Sequence, residues 1–221
     1  MERANLLSSG VTSVRGFATL NVADIRRRFV GAVPGPDRGT AAQRGDHDLN
    51  PGMAPAAETR PAAVLVPLVE RDNGIHLLLT QRTEHLAHHA GQVAFPGGRV
   101  EAGDADAVAA ALREAEEEIG LSRLHVEPIG RLDRYITRTA FAVTPVVAVV
   151  HPPFTLTLDP HEVADAFEAP LDFLLDPANR ERHTVEFQGV ARHFYAMRYG
   201  ERYIWGATAG MIVNLAELLA G

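Results

Sequence analysis

The stretch that most constrains this chain runs from Phe95 to Leu121, FPGGRVEAGDADAVAAALREAEEEIGL. Seven carboxylates (Glu101, Asp104, Asp106, Glu114, Glu116, Glu117, Glu118) fall between Arg99 and Glu118, against two arginines, Arg99 and Arg113. Like charges at helical spacing repel, so a fold that keeps them needs an offset. Val108, Ala111, Leu112, Ala115 and Ile119 recur with a helical period. With Glu114 as zero and about 100° per residue, they fall at roughly +60° to +160°, Glu118 near +40° and Glu117 near −60°. One face is apolar, and the face beside it carries three acids. Asp104 is expected to cap the helix, with Asp106 also near its positive end. Arg113, four residues before Glu117, can brace it, and Ala107 and Ala110 are small enough to leave a ligand room beside the acids. Three convergent carboxylates suit Mg²⁺, Mn²⁺ or Ca²⁺, although a run of charge is equally the mark of a solvated face. The glycines of PGGRVEAG favour a site, because they let backbone approach the helix and lend it a carbonyl.

The acidity is local. The formal charge is −7, and this stretch supplies −5 of it, seven acids less two arginines. No dense basic face of the kind a general nucleic-acid binder carries is visible. There is no cysteine, which removes disulfides, cysteine–zinc sites and thiol nucleophiles together. All 21 Lys and Arg positions are arginine, so a Walker-type lysine and Schiff-base chemistry are excluded. No run of about 18 apolar residues is present to span a membrane, and the N-terminus lacks the layout of a signal peptide. A cytoplasmic protein is expected.

Residues 1–60 read as an N-terminal extension: a polar start, a short helix over 21–33 capped by Asn21 with Val22, Ile25 and Phe29 on one face, then a flexible linker or long surface loop over 34–61. Residues 61–221 read as the main domain. AAVLVPLVE and IHLLLTQR, joined by RDNG, form a hairpin. FAVTPVVAVV (141–150) is apolar enough for a buried strand. HEVADAFEAPLDFLLD (161–176) reads as a short helix ended by Pro170, the stretch 183–206 as further strands, and ATAGMIVNLAELLA (207–220) as a terminal helix. Strands and helices mix without strict alternation, so the fold class expected is α/β with a mixed sheet between helices. The aromatics Phe187, Phe194, Tyr195 and Tyr203 are expected to be core and edge packing.

GGRVEAGDADAVAAALREAEEEIGL resembles the Nudix box, G-x5-E-x7-R-E-U-x-E-E-x-G-U, at Arg113, Glu114, Glu117, Glu118, Gly120 and Leu121. Asp104 stands where the box has Glu, and one extra residue precedes Arg113. The preceding LLTQRTEHLAHHAGQVAFPGG (78–98) resembles the signature of the coenzyme A pyrophosphatase branch, L-L-T-x-R-[SA]-x3-R-x3-G-x3-F-P-G-G. Thr83 and Ala87 depart from it, the latter replacing an arginine, the natural partner of phosphate. The resemblance spans about residues 62–219. It implies the Nudix fold, Mg²⁺ or Mn²⁺ as cofactor, and cleavage of the diphosphate of coenzyme A or an acyl derivative to 4′-phosphopantetheine and adenosine 3′,5′-bisphosphate.

On that resemblance Glu114 and Glu118 are the primary metal ligands, Glu117 a further ligand or the base, and Gly97 a carbonyl ligand. Arg113 orients the carboxylates. Glu162 is a candidate general base, since some Nudix enzymes recruit a distant loop glutamate; a solvent-facing acid at a helix start is the alternative. Arg82, His89, Gly91, Phe95, Gly98 and Arg138 are the substrate-side candidates, with Arg82 and Arg138 the arginines for a 3′-phosphate. His85, His88 and His89 have zinc-compatible spacing, a weak signal in a loop, and HEVAD lacks the second histidine of a zinc motif. The partner expected is a small molecule, met by a monomer or homodimer. The alternatives are hydrolysis of ADP-ribose or another dinucleotide pyrophosphate, and a non-catalytic nucleotide-binding module. The last need not keep Arg113, Glu114, Glu117 and Glu118 together, as this chain does.

Overall fold

A computed structural model describes residues 20–30 and 43–220, apart from 51, 54, 56, 87, 88 and 188. Ala87, His88 and positions 31–42 of the expected helix and linker therefore lie outside the described residues. In chain order the elements are α1 (Val22–Val30), β1 (Arg44–Gly45), β2 (Arg60–Arg71), β3 (Gly74–Arg82), β4 (Val93–Ala94), β5 (Gly97–Arg99), α2 (Ala107–Ile119), β6 (Val126–Arg131), β7 (Tyr135–Ile136), β8 (Phe141–Val150), β9 (Val163–Pro170), α3 (Leu171–Leu175), β10 (Glu181–Phe187), β11 (Val190–Tyr199), β12 (Arg202–Trp205) and α4 (Gly206–Ala220).

Strands β1–β9 form one mixed sheet. β2 and β8 run parallel at its centre over Arg60–Val69, β3 pairs antiparallel with β2, and β9 antiparallel with β3. Alternation of side chains along each strand divides the core in two. Val66 and Leu68 on β2, Leu77 and Leu79 on β3 and Val147 on β8 face one way; Ala63, Leu65, Leu78, Val146 and Ala148 face the other. α2 covers the second face with Ala111, Ala115 and Ile119. α1, α3 and α4 cover the first, with Ile25, Phe29, Leu174, Met211, Ile212 and Leu215. The expected mixed sheet between helices is this arrangement. Strands β10–β12 form a separate antiparallel sheet.

Three local expectations are corrected. Residues 163–170 are a strand, not a helix: pairing along β3 from His76 to Arg82 overrides the helical pattern. Pro170 then precedes α3 rather than ending a helix, a place where its missing N–H leaves no helical bond unmade. The linker expected over 34–61 is built into the fold at Arg44–Asn50. Arg44 and Gly45 pair with Tyr135 and Ile136, a short 3-10 turn follows at Asp46–Leu49, and Asn50 is buried. Third, Asp106 caps α2, accepting from the Val108 and Ala109 amides at 2.9 Å, while Asp104 does other work. α1 keeps the expected Asn21 cap, whose side chain accepts from the Asp24 amide at 2.9 Å.

Candidate active site

β5 crosses beside α2, and the two glycines make that approach possible. A Cβ on Gly97, at φ 156°, would lie 2.4 Å from the Ala63 carbonyl oxygen, and one on Gly98 2.4 Å from a carboxylate oxygen of Glu114. Glu118, one turn on from Glu114, reaches the same strand: the Gly97 amide donates to its Oε2 at 3.0 Å. Its carboxylate is 5% exposed. Burial pushes the pKa of Glu118 up to about 7, against the pull of the Gly97 amide and the Arg82 guanidinium. Burial likewise raises Glu114, against its bond with Arg113.

Arg113 is the hub of the helix. It donates bidentately to Asp104 at 3.0 Å, to Glu114 at 3.0 Å, to Glu117 at 2.9 Å and to the Arg99 carbonyl at 3.0 Å. The guanidinium holds Asp104 below its ordinary range, and Arg113 itself is raised. The loop residue Asp104 thus fixes Arg113, and Arg113 fixes two acids. Glu117 is well exposed and turned outward. Arg82 sits between two carboxylates, 3.6 Å from Glu118 and 3.9 Å from Glu162, whose side chain is half exposed. Glu162 precedes β9, not a helix, so no helix dipole acts on it.

Glu114, Glu117, Glu118, Arg113, Gly97, Gly98, Arg82 and Glu162 are therefore brought together. Ala110 is not beside an open ligand space; it is fully buried, because α2 lies in the corner between β5 and the sheet. Among the described residues no three acids or histidines are gathered as a closed metal cage. Glu117, bonded to Arg113, is exposed, whereas Glu118, bonded to the Gly97 amide, is buried. What the site does hold is a pair of desolvated carboxylates, Glu114 and Glu118, against a glycine backbone. That oxygen-rich donor set fits a hard divalent cation, and a cation would offset the burial that raises both groups.

A cavity of about 590 Å³ opens on the far side of β5. Arg82, His89, Phe95, Gly97, Gly98 and Arg138 all line it. Phe95 does so as a core wall, 3% exposed. His89 holds a left-handed backbone, φ 58°, and its Nδ1 is 2.8 Å from the Gln92 Oε1. Gly91 does not line the cavity; at φ 66° it makes room for Glu84, whose carboxylate a Cβ would meet at 2.3 Å. Its role is to shape the loop. Arg138 donates its amide to Asp46 at 2.7 Å.

The opposite wall was missed from sequence. It comes from Asp46 and Asn50 in the N-terminal segment and from Arg192, Phe194 and Trp205 on the three-stranded sheet. Arg192 and Phe194 stand two apart on one strand, and Trp205, paired with Ala196 on the next strand, meets the Phe194 ring at 5.3 Å. That period-two pattern is the available signal; of these residues only Phe194 is among the aromatics expected to be packing. Nothing in the composition of residues 46–50 marks them.

Comparison with known proteins places the chain in a family. The NUDIX domain family model matches residues 59–191. Nudix hydrolase NudL of Escherichia coli K12, itself uncharacterized, is 44% identical over 157 residues, 71% of this chain and 81% of its own. Among solved structures, an Ap4A hydrolase binary complex from C. elegans aligns over 50% of this chain and 80% of its own, at 24% identity and a TM-score of 0.44. The NUDIX domain of Shewanella oneidensis NrtR complexed with ADP ribose aligns over 54% of this chain, at 19% identity and a TM-score of 0.42. With the family model covering more than half the chain and the box residues assembled on β5 and α2, the chain belongs to the Nudix hydrolase family.

Proposed function

We propose that this protein is a Mg²⁺- or Mn²⁺-dependent pyrophosphohydrolase of coenzyme A or an acyl-coenzyme A. Water would be added across the diphosphate, giving 4′-phosphopantetheine and adenosine 3′,5′-bisphosphate. One observation carries the reading: the desolvated pair Glu114 and Glu118 meets an arginine-lined cavity across the Gly97–Gly98 backbone. Acids alone would repel a diphosphate, and arginines alone would bind it without cleaving it. The branch signature at Leu78–Gly98 supports the coenzyme A assignment.

Glu114 and Glu118 would hold the metal, with the Gly97 carbonyl beside them and Glu117 as a further ligand or as base. When bound, the ion lowers the pKa of a water and neutralises charge on the phosphoryl oxygens. Arg113, fixed by Asp104, keeps Glu114 in place and keeps Glu117 at hand. Arg82 bridges Glu118 and the cavity, where it can meet a phosphate. Glu162, close enough to raise both Glu114 and Glu118, is the second candidate to take the proton of the water. No helix of the described residues is long and apolar enough to cross a membrane.

The test is incubation with coenzyme A and Mg²⁺ or Mn²⁺ beside ADP-ribose, NADH and a nucleoside triphosphate, with products identified by mass spectrometry. Adenosine 3′,5′-bisphosphate should form fastest from coenzyme A, and Glu118→Gln should abolish it. Faster cleavage of ADP-ribose would keep the chemistry and discard the substrate. Nucleotide binding without turnover would leave a binding module.

A further inference from the structure

The cavity is lined by four arginines, Arg82, Arg99, Arg138 and Arg192. Three have partners. Arg82 lies against Glu118 and Glu162, Arg99 stacks over the Phe141 ring at 5.8 Å, and Arg138 has partners of its own. Arg192 is half-buried and, like Arg82, has a buried Nε without a hydrogen-bond partner among the described residues. Unlike Arg82, it has no carboxylate within ion-pair distance among the described residues. A guanidinium in a cavity without a counter-charge is stabilised when a ligand brings one.

Its neighbours say what else that ligand carries. Pairing of β10, β11 and β12 puts Val185, Arg192, Phe194 and Trp205 on one face, and all four line the cavity. The Phe194 and Trp205 rings meet at 5.3 Å and 62°, half-buried and edge to face. The wall is also held in advance. The buried Asn50 side chain accepts from the His193 amide at 2.8 Å and donates to the His193 carbonyl at 3.0 Å, fixing the strand between Arg192 and Phe194.

We propose that Arg192, with Phe194 and Trp205 beside it, binds the phosphorylated nucleoside end of the substrate, a phosphomonoester on the guanidinium and the base on the aromatic pair. Arg192, rather than Arg82, is then the arginine that distinguishes a 3′-phosphorylated nucleotide from its dephospho counterpart. Arg82 stays with the acids and the diphosphate. The identity of the ligand rests on the coenzyme A reading; the chemistry of the wall does not.

Trp205 is the only tryptophan in the chain, so its fluorescence reports occupancy of this wall. The full-length protein, stripped of metal with EDTA, would be titrated with adenosine 3′,5′-bisphosphate and with AMP. The bisphosphate should perturb Trp205 and bind about tenfold or more tighter than AMP, the gain expected of one charge-assisted contact. In Arg192→Gln that ratio should collapse to about twofold or less, and Arg192→Lys should restore part of it. Equal affinity in the parent protein, no perturbation of Trp205, or an undiminished ratio in Arg192→Gln would overturn the proposal. If coenzyme A is not hydrolysed while the Arg192-dependent ratio persists, the substrate reading fails and this one stands. Turnover of coenzyme A without that ratio is the reverse.

Discussion

Glu118 pairs a nearly inaccessible carboxylate with one backbone donor, and its partner acids Glu114 and Glu162 add like charge. A folded pKa of about 7 against an ordinary 4.5 means that the folded state binds the proton more tightly than the unfolded chain does. The stabilisation by the protonated form is complete below about 4.5 and is lost as pH rises through about 7. Metal-free protein should therefore lose stability between pH 5 and pH 8, as read by denaturant melts. Glu118→Gln should flatten that slope, gaining on the order of 1–3 kcal/mol at pH 8 and little at pH 5. Added Mn²⁺ should stabilise the parent at pH 8 and leave the variant unmoved. Equal slopes in the two proteins would show that Glu118 is not the group that is desolvated. The burial of Glu118 was legible in the helical projection, which put it at the border of the apolar stripe. That of Ala110 was not, because β5 closes a second side of α2 and widens the buried arc beyond that stripe.

At the scale of elements, β2, β3, β8, α2 and α4 could be read from the pattern of apolar residues, because each buries a face in the core. β9 and the segment Arg44–Asn50 could not. β9 carries spacing that also suits a helix, and only its partner β3, some ninety residues earlier, decides the matter. The segment Arg44–Asn50 has no apolar period; its place rests on polar contacts that propensity does not foretell. Asp46 accepts from the Tyr135 hydroxyl at 2.9 Å and from the Arg138 amide at 2.7 Å, and Asn50 clamps His193. Asn50→Ala should leave the His193 amide and carbonyl unpaired, at a cost of about 1–3 kcal/mol in a denaturant melt. Because Asn50 holds the cavity wall and does not touch the acids of α2, KM for the diphosphate substrate should rise several-fold while kcat stays within about twofold. A fall in kcat at constant KM would instead tie this segment to the chemical step.

The whole molecule is larger than the family's shared unit. The matched span, 59–191, stops before α4 and begins after α1, yet both helices complete the core on one face of the sheet. Met211, Ile212, Leu215 and Leu219 from α4 pack with Ile25 and Phe29 from α1. The fit between α1 and β6 is close: a Cβ on Gly130 would meet the Phe29 ring at 2.2 Å, so the ring rests on bare backbone. Arg26 pairs with Glu127 on the same strand, and with His151 it holds that carboxylate down at a pKa of about 2. The N-terminal helix is thus part of the folded body, and its two buried side chains were already marked by their spacing from Asn21. Phe29→Ala should cost about 3–5 kcal/mol, the range for emptying a buried aromatic site. A chain beginning at residue 59 loses Ile25, Phe29, Asp46 and Asn50 together, and its denaturation midpoint should fall below that of Phe29→Ala. If the shortened chain instead melts with the parent and still binds nucleotide at Trp205, the N-terminal residues decorate a self-sufficient domain and do not complete it.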